Sequence, residues 1–573
     1  MKTLTEVEPR IAVNAANTPG NATSLFRITQ PGSYYLTGNV TGVVGKSGIV
    51  ITSGQVTLDL NGFRLEGASG RGRIAVDLQC VPDVVIKNGF ISNWSEIGIL
   101  GEDSTGLRIE NVHMRNFPFC TVLVGEATVV LDSSISDSSD GYQLGGRSRV
   151  ERCVVRRCTG TAIAASTGSL VADCTLNDNG GGIGVSGDGS VVRNNVIKGT
   201  GIRGIQVGGR NNRIEDNHVT GGNVGIRILT AGNYVAGNTV TGNTDNYDFV
   251  AGNQLNILLG EIPESIDWSA NVTLAGSLTG VTAKDGITIN ADDVTLDLNG
   301  FALIGVAGSL DGVTVPAVVS NLTVRNGTVR DWDGAGVGAD PARNSQFERL
   351  RVYSNDGGGL WIGLGSVATH CTALLNRLYG IRTKAGCVVT ECIASTNVSA
   401  PGIEVNGRGC IVSRCTADNN GSHGIFAVNG ISLISGCSAR NNSGRGITAS
   451  EGATITGCNA TSNEGDGIAC GSECRIVANN CYLNGAAGIH TTHPNNRIEG
   501  NNVNNNTRGI DVDSTRNIII KNTASGNATN YDIAAGNRYG TIISIMGTGQ
   551  PSVSGASAVG TLASTDPWAN FSY

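Results

Sequence analysis

Aromatic and charged residues recur at two outward positions of a short repeat in the second half of the chain. An exposed aromatic ring is typical of a platform for sugar rings. A lysine can abstract a proton from a uronate while an arginine neutralises its carboxylate. The pattern therefore predicts catalysis by Lys384 and Arg382 on an acidic polysaccharide. The residues predicted to bind this substrate are Trp361, Glu404, Phe426 and Asp340.

Carboxylates near this pattern allow other interpretations. Arg382 and Glu404 in neighbouring repeats also fit a surface ion pair, which contributes little to stability. Asp340 and Glu404 are three repeats apart, about 14 Å at the spacing of strands, which is too far for a glycosidase pair. Asp511 and Asp513 share one strand at a separation of about 6.5 Å, which a glycosidase permits. Two aspartates at this spacing are more often solvated surface residues without a catalytic role.

Histidine and cysteine pairs could bind a metal ion, but each has a simpler explanation. His490 and His493 lie close together at a predicted turn, where solvated side chains are the usual outcome. Cys470 and Cys474 form a close pair, for which a packing role is favoured over a metal site or a disulfide. No metal site and no cofactor are therefore predicted, and Ca²⁺ has no motif to support it.

Strands must position these residues, because Gly-Ile pairs followed by alternating apolar residues recur along the chain. The pairs are 21 or 22 residues apart in the second half and 20 to 22 apart in the first half. In such a strand the Ile and the residue two positions later point inward, and the residues between them point outward. A period of about 22 residues without helical periodicity predicts one turn of a right-handed parallel β-helix, an all-β solenoid.

The chain also contains a tandem duplication. VTLDLNGF occurs at 56–63 and again at 294–301, 238 positions later, and reads as a strand followed by a turn. DNYDFVAGN at 245–253 and TNYDIAAGN at 529–537 are 284 positions apart, so the second copy holds 46 extra residues, or two turns. The predicted segments are an N-terminal extension or cap at 1–24, a first β-helix at 25–258, a second β-helix at 259–540 and a C-terminal tail at 541–573.

One position of each repeat, three residues after a buried strand residue, holds Cys or Asn. Stacked Asn side chains hydrogen-bond from turn to turn, and Cys at the same site acts as a small apolar residue. The pattern predicts internal ladders of reduced thiols and amides rather than a disulfide or metal framework. Trp94 and Trp332 correspond in the two copies and are predicted to cap the core. The ladder positions are Cys153, Cys174, Asn195, Asn217, Asn238, Cys371, Cys392, Cys415, Cys437, Cys458, Asn479, Asn501 and Asn522.

Composition excludes some partners and leaves others open. The 573 residues have a net charge of −7 and no basic stripe, which argues against nucleic-acid binding. No apolar run is long enough to predict a membrane span. The first residues lack the apolar segment of a signal peptide, so the localisation stays open between the cytoplasm and export after removal of a signal. A homo-oligomer also stays open.

The ladders, the G-I-x-V-x strands and the VTLDLNGF turn resemble the right-handed parallel β-helix repeat proteins of the pectate-lyase-like superfamily, including uncharacterised bacterial members. The resemblance covers roughly residues 25–540 and implies polysaccharide lyases, hydrolases, epimerases or phage tail proteins. The superfamily's hydrolase motifs do not carry over, since Asp292-Asp293 falls in a turn and no RIK triplet is present. Two functions therefore remain open. One is a carbohydrate-binding or carbohydrate-active protein, lyase-like or epimerase-like if catalytic, and the other is a non-catalytic structural or adhesive solenoid.

Overall fold

The computed structural model of the chain describes residues 10–68, 73–544 and 565–573, and it divides into two units, residues 1–260 and 261–573. All regular structure within the described ranges is β-strand, which confirms the predicted all-β class. Residues 1–9 of the predicted cap and residues 545–564 of the predicted tail lie outside those ranges. No described segment forms an apolar helix long enough to cross a membrane.

The first unit contains a parallel sheet of 11 described strands, called here the first face sheet. Its strands are Ser24–Ile28, Ser47–Ile51, Val76–Leu78, Ile99–Gly101, Cys120–Val124, Asp140–Leu144, Thr161–Ala165, Gly181–Val185, Arg203–Val207, Val224–Ile228 and Asp245–Phe249. The remaining strands of this unit form the other sides of each coil. They are Ile11–Ala12, Gly32–Tyr35, Val40–Thr41, Val56–Asp59, Arg64–Glu66, Val84–Ser92, Arg108–Arg115, Val129–Leu131, Ser134–Ser136, Arg149–Glu151, Val154–Arg156, Leu170–Ala172, Thr175–Asn177, Val191–Arg193, Val196–Lys198, Arg213–Glu215, His218–Thr220, Tyr234–Thr241 and Gln254–Leu259.

The second unit repeats this arrangement with a parallel sheet of 13 described strands, called here the second face sheet. Its strands are Glu264–Ile266, Ile287–Ile289, Val313–Thr314, Val337–Ala339, Leu360–Ile362, Ile381–Thr383, Ile403–Asn406, Ile425–Val428, Ile447–Ala449, Ile468–Cys470, Ala487–Thr491, Arg508–Val512 and Thr529–Ile533. The other strands are Asn271–Leu274, Leu278–Thr279, Thr295–Asp297, Ala302–Ile304, Thr323–Arg330, Gln346–Tyr353, Val367–Thr369, Thr372–Leu374, Val388–Thr390, Ile393–Ser395, Cys410–Ser413, Thr416–Asp418, Ser432–Ser435, Ser438–Arg440, Thr454–Thr456, Asn459–Thr461, Arg475–Val477, Asn480–Tyr482, Arg497–Glu499, Asn502–Asn504, Ile518–Ile520, Thr523–Ser525, Arg538–Tyr539, Ile542–Ser544 and Asn570–Ser572. The second face sheet has two strands more than the first, as the 46-residue insertion predicts.

Each complete coil has three sides. The coil that begins with Ile381–Thr383 continues through Val388–Thr390 and Ile393–Ser395, and each of these strands pairs in parallel with its equivalent in the next coil. Because the pairing is parallel, equivalent residues of successive coils lie directly above one another. Rows of side chains therefore run along each side of the coil.

The duplicated octapeptide forms a buried strand and a tight turn in both units. Leu58 and Leu60 are fully buried, and the chain turns at Asn61 and Gly62, whose φ angles are 53° and 79°. The backbone N–H of Asn61 donates to Asp59 Oδ1 at 2.8 Å, which holds the turn. The left-handed φ explains why Asn and Gly occupy these two positions.

The predicted Cys and Asn ladder is confirmed as a buried row. Asn479 Nδ2 donates to Asn501 Oδ1 at 3.0 Å, and Asn501 Nδ2 donates to Asn522 Oδ1 at 2.9 Å. The backbone N–H of Cys458 donates to Asn479 Oδ1 at 2.9 Å, so the thiol part of the ladder continues into the amide part. The buried amides are therefore satisfied by the neighbouring coils.

A second amide ladder, which the sequence analysis missed, occupies another corner of the second unit. In its middle, Asn420 Nδ2 donates to Asn442 Oδ1 and Asn442 Nδ2 donates to Asn463 Oδ1, both at 2.9 Å. The ladder contains Asn355, Asn376, Asn397, Asn420, Asn442, Asn463, Asn484, Asn506 and Asn527. Two independent rows of buried hydrogen bonds thus fix the stacking of these coils.

The two corresponding tryptophans close the core, as predicted. Trp94 and Trp332 are 0% and 1% exposed, and each indole N–H donates to a backbone carbonyl at 3.3 Å. A Cβ at Gly286 would come within 2.8 Å of the Trp332 ring, so this position requires glycine. These tryptophans therefore have a structural role.

Candidate functional site on the second face sheet

The second face sheet places one residue of each coil in a single outward row. Strand pairing gives the register that the sequence predicts. The outward row contains Gly338, Trp361, Arg382, Glu404, Phe426, Thr448, Ala469, His490 and Asp511. Most of these residues are partly exposed, whereas Asp511 is only 3% exposed. The row therefore combines partly exposed side chains with one buried carboxyl group.

Three predicted site residues contact one another on this row. The Arg382 guanidinium lies over the Trp361 ring, 4.8 Å from its centroid, and its Nε is 3.4 Å from Glu404 Oε1. The same guanidinium is 5.1 Å from the ring of Tyr379, which packs edge-on against Trp361 at 6.0 Å between centroids. Arg382 is thus held between two aromatic rings and a carboxylate.

Two further predicted residues form an ion pair beside this group. Lys384 Nζ is 2.8 Å from Asp340 Oδ2, although the two residues are two coils apart. The coil between them carries Gly363 at this position, so no side chain separates the lysine from the aspartate. In this arrangement Lys384 contacts a protein carboxylate, so a substrate would have to separate the two residues before Lys384 could act on it.

Phe426 belongs to the row but makes a different contact. Its ring stacks on the imidazole of His423, with 5.0 Å between centroids and 27° between planes. Burial lowers the pKa of His423. This neutral aromatic pair lies one coil beyond Glu404, so the predicted residues form three neighbouring groups rather than one cluster.

A histidine surrounded by carboxylates lies further along the same face. His490 Nδ1 is 3.2 Å from Asp466 Oδ2, and His490 Nε2 is 3.0 Å from Asp513 Oδ2 and 3.9 Å from Asp511 Oδ2. Arg445 Nε in turn lies 2.9 Å from Asp466 Oδ2. A groove of about 490 Å³ beside this group is lined by several of these side chains. The side chains of this group hold one another in place, and the groove beside them is accessible to a ligand.

The contacts change the acid–base behaviour of this group. The hydrogen bond to Asp466 raises the pKa of His490 to about 9. Burial alone would raise the pKa of Asp466, but hydrogen bonds from His490 and from the Ala487 N–H bring that pKa below its usual value. His490 is therefore positively charged near neutral pH and balances part of the surrounding negative charge.

Many of these partners come from a second row of side chains, which the outward positions of the repeat did not predict. The residue before the Gly of each Gly-Ile pair precedes the buried Ile by two positions, and these residues stack from coil to coil. This upstream row includes Tyr379, His423, Arg445, Asp466 and Arg508. The sequence could have predicted this upstream row, because aligning the Gly-Ile pairs also aligns the residue directly before each pair.

The cations of this face already have acidic partners. Arg508 Nη1 lies 2.6 Å from Asp511 Oδ2, which adds a fourth pair to those of Arg382, Lys384 and Arg445. An anionic ligand must therefore replace or join a protein carboxylate. The ligand atoms offered by His490, Asp511 and Asp513 lie within 4.8 Å of one another, whereas His493 hydrogen-bonds to Thr492.

The equivalent row of the first face sheet has a different character. Aliphatic, small and amide side chains dominate it, with one ion pair between Arg227 Nε and Asp248 Oδ2 at 2.7 Å. The row contains Asp77, Leu100, Leu123, Gln143, Ala164, Gly184, Gln206, Arg227 and Asp248. This row carries no aromatic ring.

Comparison with known proteins identifies the repeats. The family described as "Right handed beta helix region" matches residues 39–197, 97–245, 270–432, 316–481 and 401–556, together more than half of the chain. No curated protein sequence matches.

Solved structures with similar folds are distant in sequence. The PL6 family alginate lyase AlyGC is 11% identical, with a TM-score of 0.31 over 90% of this chain and 100% of that chain. The Dettilon tailspike protein is 14% identical, with a TM-score of 0.30 over 52% of this chain and 60% of that chain. The tailspike protein of E. coli bacteriophage HK620, solved with a pentasaccharide, is 12% identical, with a TM-score of 0.23 over 70% and 79%.

Proposed function

Because this chain belongs to the right-handed β-helix family, and its two units carry face sheets of contrasting character, we propose that the second face sheet binds a polysaccharide. The single observation that carries the proposal is the partly exposed Trp361 ring on a row that has no aromatic residue in the first unit. A flat, partly exposed ring on a rigid sheet suits stacking against a sugar ring.

The residues around Trp361 hold its ring in place and leave it partly exposed. The preceding coil has Gly338 in the row, which offers no side chain. A Cβ at Gly338 would come within 2.8 Å of Asp311 Oδ2, so a carboxylate of an earlier coil borders this glycine. Arg382 and Tyr379 fix the ring from the other directions, which lowers the conformational entropy that binding must remove.

We propose further that the ligand is acidic and that its carboxylates contact Arg382 and Lys384. Both cations remain partly exposed, at 27% and 45% of the side chain. A bound uronate would compete with Glu404 and Asp340 for them. Because such contacts are exposed, salt should weaken them. Elimination or epimerisation by Lys384 would first require separation of its ion pair with Asp340. We therefore propose binding rather than catalysis as the primary function of this face.

The test is a binding assay on immobilised acidic and neutral polysaccharides with Trp361→Ala. Trp568→Ala is a matched control, because Trp568 is 48% exposed and also has a cation, Lys521, 4.6 Å from its ring, but lies off this face. Loss of binding in Trp361→Ala alone supports the proposal. Ultraviolet absorbance of an unsaturated product tests elimination in the same samples. Absence of binding to all polysaccharides would instead favour a structural or adhesive solenoid.

A further inference from the structure

We propose that His490, Asp511 and Asp513 bind a divalent first-row transition metal ion such as Zn²⁺. Their ligand atoms lie within 4.8 Å of one another, so small side-chain rotations would bring all three within bonding distance of one ion. One imidazole nitrogen and two carboxylate oxygens are a donor set that suits such a metal better than Ca²⁺, which takes oxygen ligands. This inference does not rest on polysaccharide binding.

Asp511 supplies an independent indication of a ligand. The residue is 3% exposed, and its Oδ1 has no hydrogen-bond partner within the described part of the chain. A buried carboxylate oxygen without a partner is costly, and a metal ion bound by this carboxylate would satisfy it. The other oxygen of the same carboxylate is 3.9 Å from His490 Nε2, so the carboxylate belongs to the cluster.

The partner of the other imidazole nitrogen also fits a metal ligand. His490 Nδ1 lies 3.2 Å from Asp466 Oδ2, and Arg445 holds that carboxylate at 2.9 Å. Metal-binding histidines commonly donate their second N–H to a carboxylate, which directs the free nitrogen to the metal. Here Nε2 is left facing Asp511 and Asp513. A metal ion at Nε2 would replace the proton that this nitrogen shares with Asp513.

The strands hold two of the three residues in place, and the third lies one residue beyond the end of the strand Arg508–Val512. His490 and Asp511 are directly paired on neighbouring strands of the second face sheet, and Asp513 follows two residues later. Three protein ligands leave at least one coordination position for water or another ligand, and the adjoining groove gives access to it.

The guanidinium of Arg508 would compete with a metal ion for the Asp511 carboxylate, which allows a specific test. Its Nη1 lies 2.6 Å from Asp511 Oδ2, yet half of its side chain is exposed and Asp532 Oδ2 is a second partner, 3.6 Å from its Nε. Removal of Arg508 would free one carboxylate oxygen. We therefore expect Arg508→Gln to tighten metal binding about two- to fivefold, the range of a partly exposed ion pair.

The experiment is a titration of the full chain with Zn²⁺ by calorimetry, after dialysis against a chelator. It uses a Cys80→Ser background, because Cys80 is an exposed thiol that could bind Zn²⁺. We expect one ion per chain. His490→Gln and Asp513→Asn should each weaken binding at least about tenfold, since loss of even an outer partner has such an effect. His493→Gln is the matched control and should leave binding unchanged.

Asp513→Asn keeps the test valid if His490→Gln fails to fold, because the Asp513 side chain is 55% exposed. Circular dichroism of each variant reports its folding. The proposal is overturned if folded protein shows no saturable binding of Zn²⁺, if Asp513→Asn binds as the parent does, or if Arg508→Gln binds more weakly.

Discussion

Replacement of Trp361 by alanine separates a surface platform from a core residue. Trp361 makes a cation–π contact with Arg382, worth about 0.5–1 kcal/mol, and an edge contact with Tyr379, worth about 0.5–1.5 kcal/mol. Their loss should lower the free energy of unfolding by about 1–2.5 kcal/mol. Trp332→Ala, which removes a side chain that is 1% exposed, should cost about 3–5 kcal/mol.

Trp361→Ala should weaken ligand binding more, as a fraction of the binding free energy, than it lowers the free energy of unfolding. A central aromatic contact is worth about 2 kcal/mol or more, so Trp361→Ala should raise the dissociation constant about 30-fold. Urea denaturation measures the stability of both variants, and calorimetry with a polysaccharide that binds the parent measures affinity. Two results would refute the reasoning: a stability loss as large as that of Trp332→Ala, or a modest stability loss with unchanged affinity.

Three further predictions concern charge, amides and thiols. Lys384→Ala should bind an acidic polysaccharide more weakly and with less dependence on salt than the parent, measured as affinity at low and physiological ionic strength; an unchanged salt dependence would remove Lys384 from the binding surface. Asn442→Ala should lower the free energy of unfolding by about 3 kcal/mol or more, measured in urea, because the buried N–H groups of Asn420 lose their acceptor; a change below about 1 kcal/mol would contradict the ladder's role. Titration with a thiol reagent should detect mainly Cys80 in the native protein and all 15 cysteines in denaturant, since most of the other thiols are buried and the reagent cannot reach them; equal counts would contradict their burial.

The sequence predicted the repeat and the outward row because both depend on the spacing of Gly-Ile pairs alone. Once Ile381 and Ile403 are known to stack, Arg382 and Glu404 must be neighbours. The number of extra coils followed from the length of the insertion in the same way.

The contacts between side chains could not be predicted in this way. Lys384 contacts Asp340 across two coils because Gly363, on the coil between them, has no side chain, and this depends on side-chain size rather than on register. His490 finds Asp466 on the upstream row, which the sequence analysis did not consider. Sequence spacing therefore located residues along the face but did not identify their partners.

The ladders have a consequence for how such a chain can change in length. Each coil hydrogen-bonds to the coils directly before and after it, so a whole coil can be added while every later Asn and Cys keeps its place. A partial coil would move all later residues off their ladders and turn buried amides towards the wrong neighbours. Growth is therefore restricted to whole steps of about 4.8 Å, and the two added coils of the second unit lengthen its face sheet by about 10 Å without any change in its cross-section.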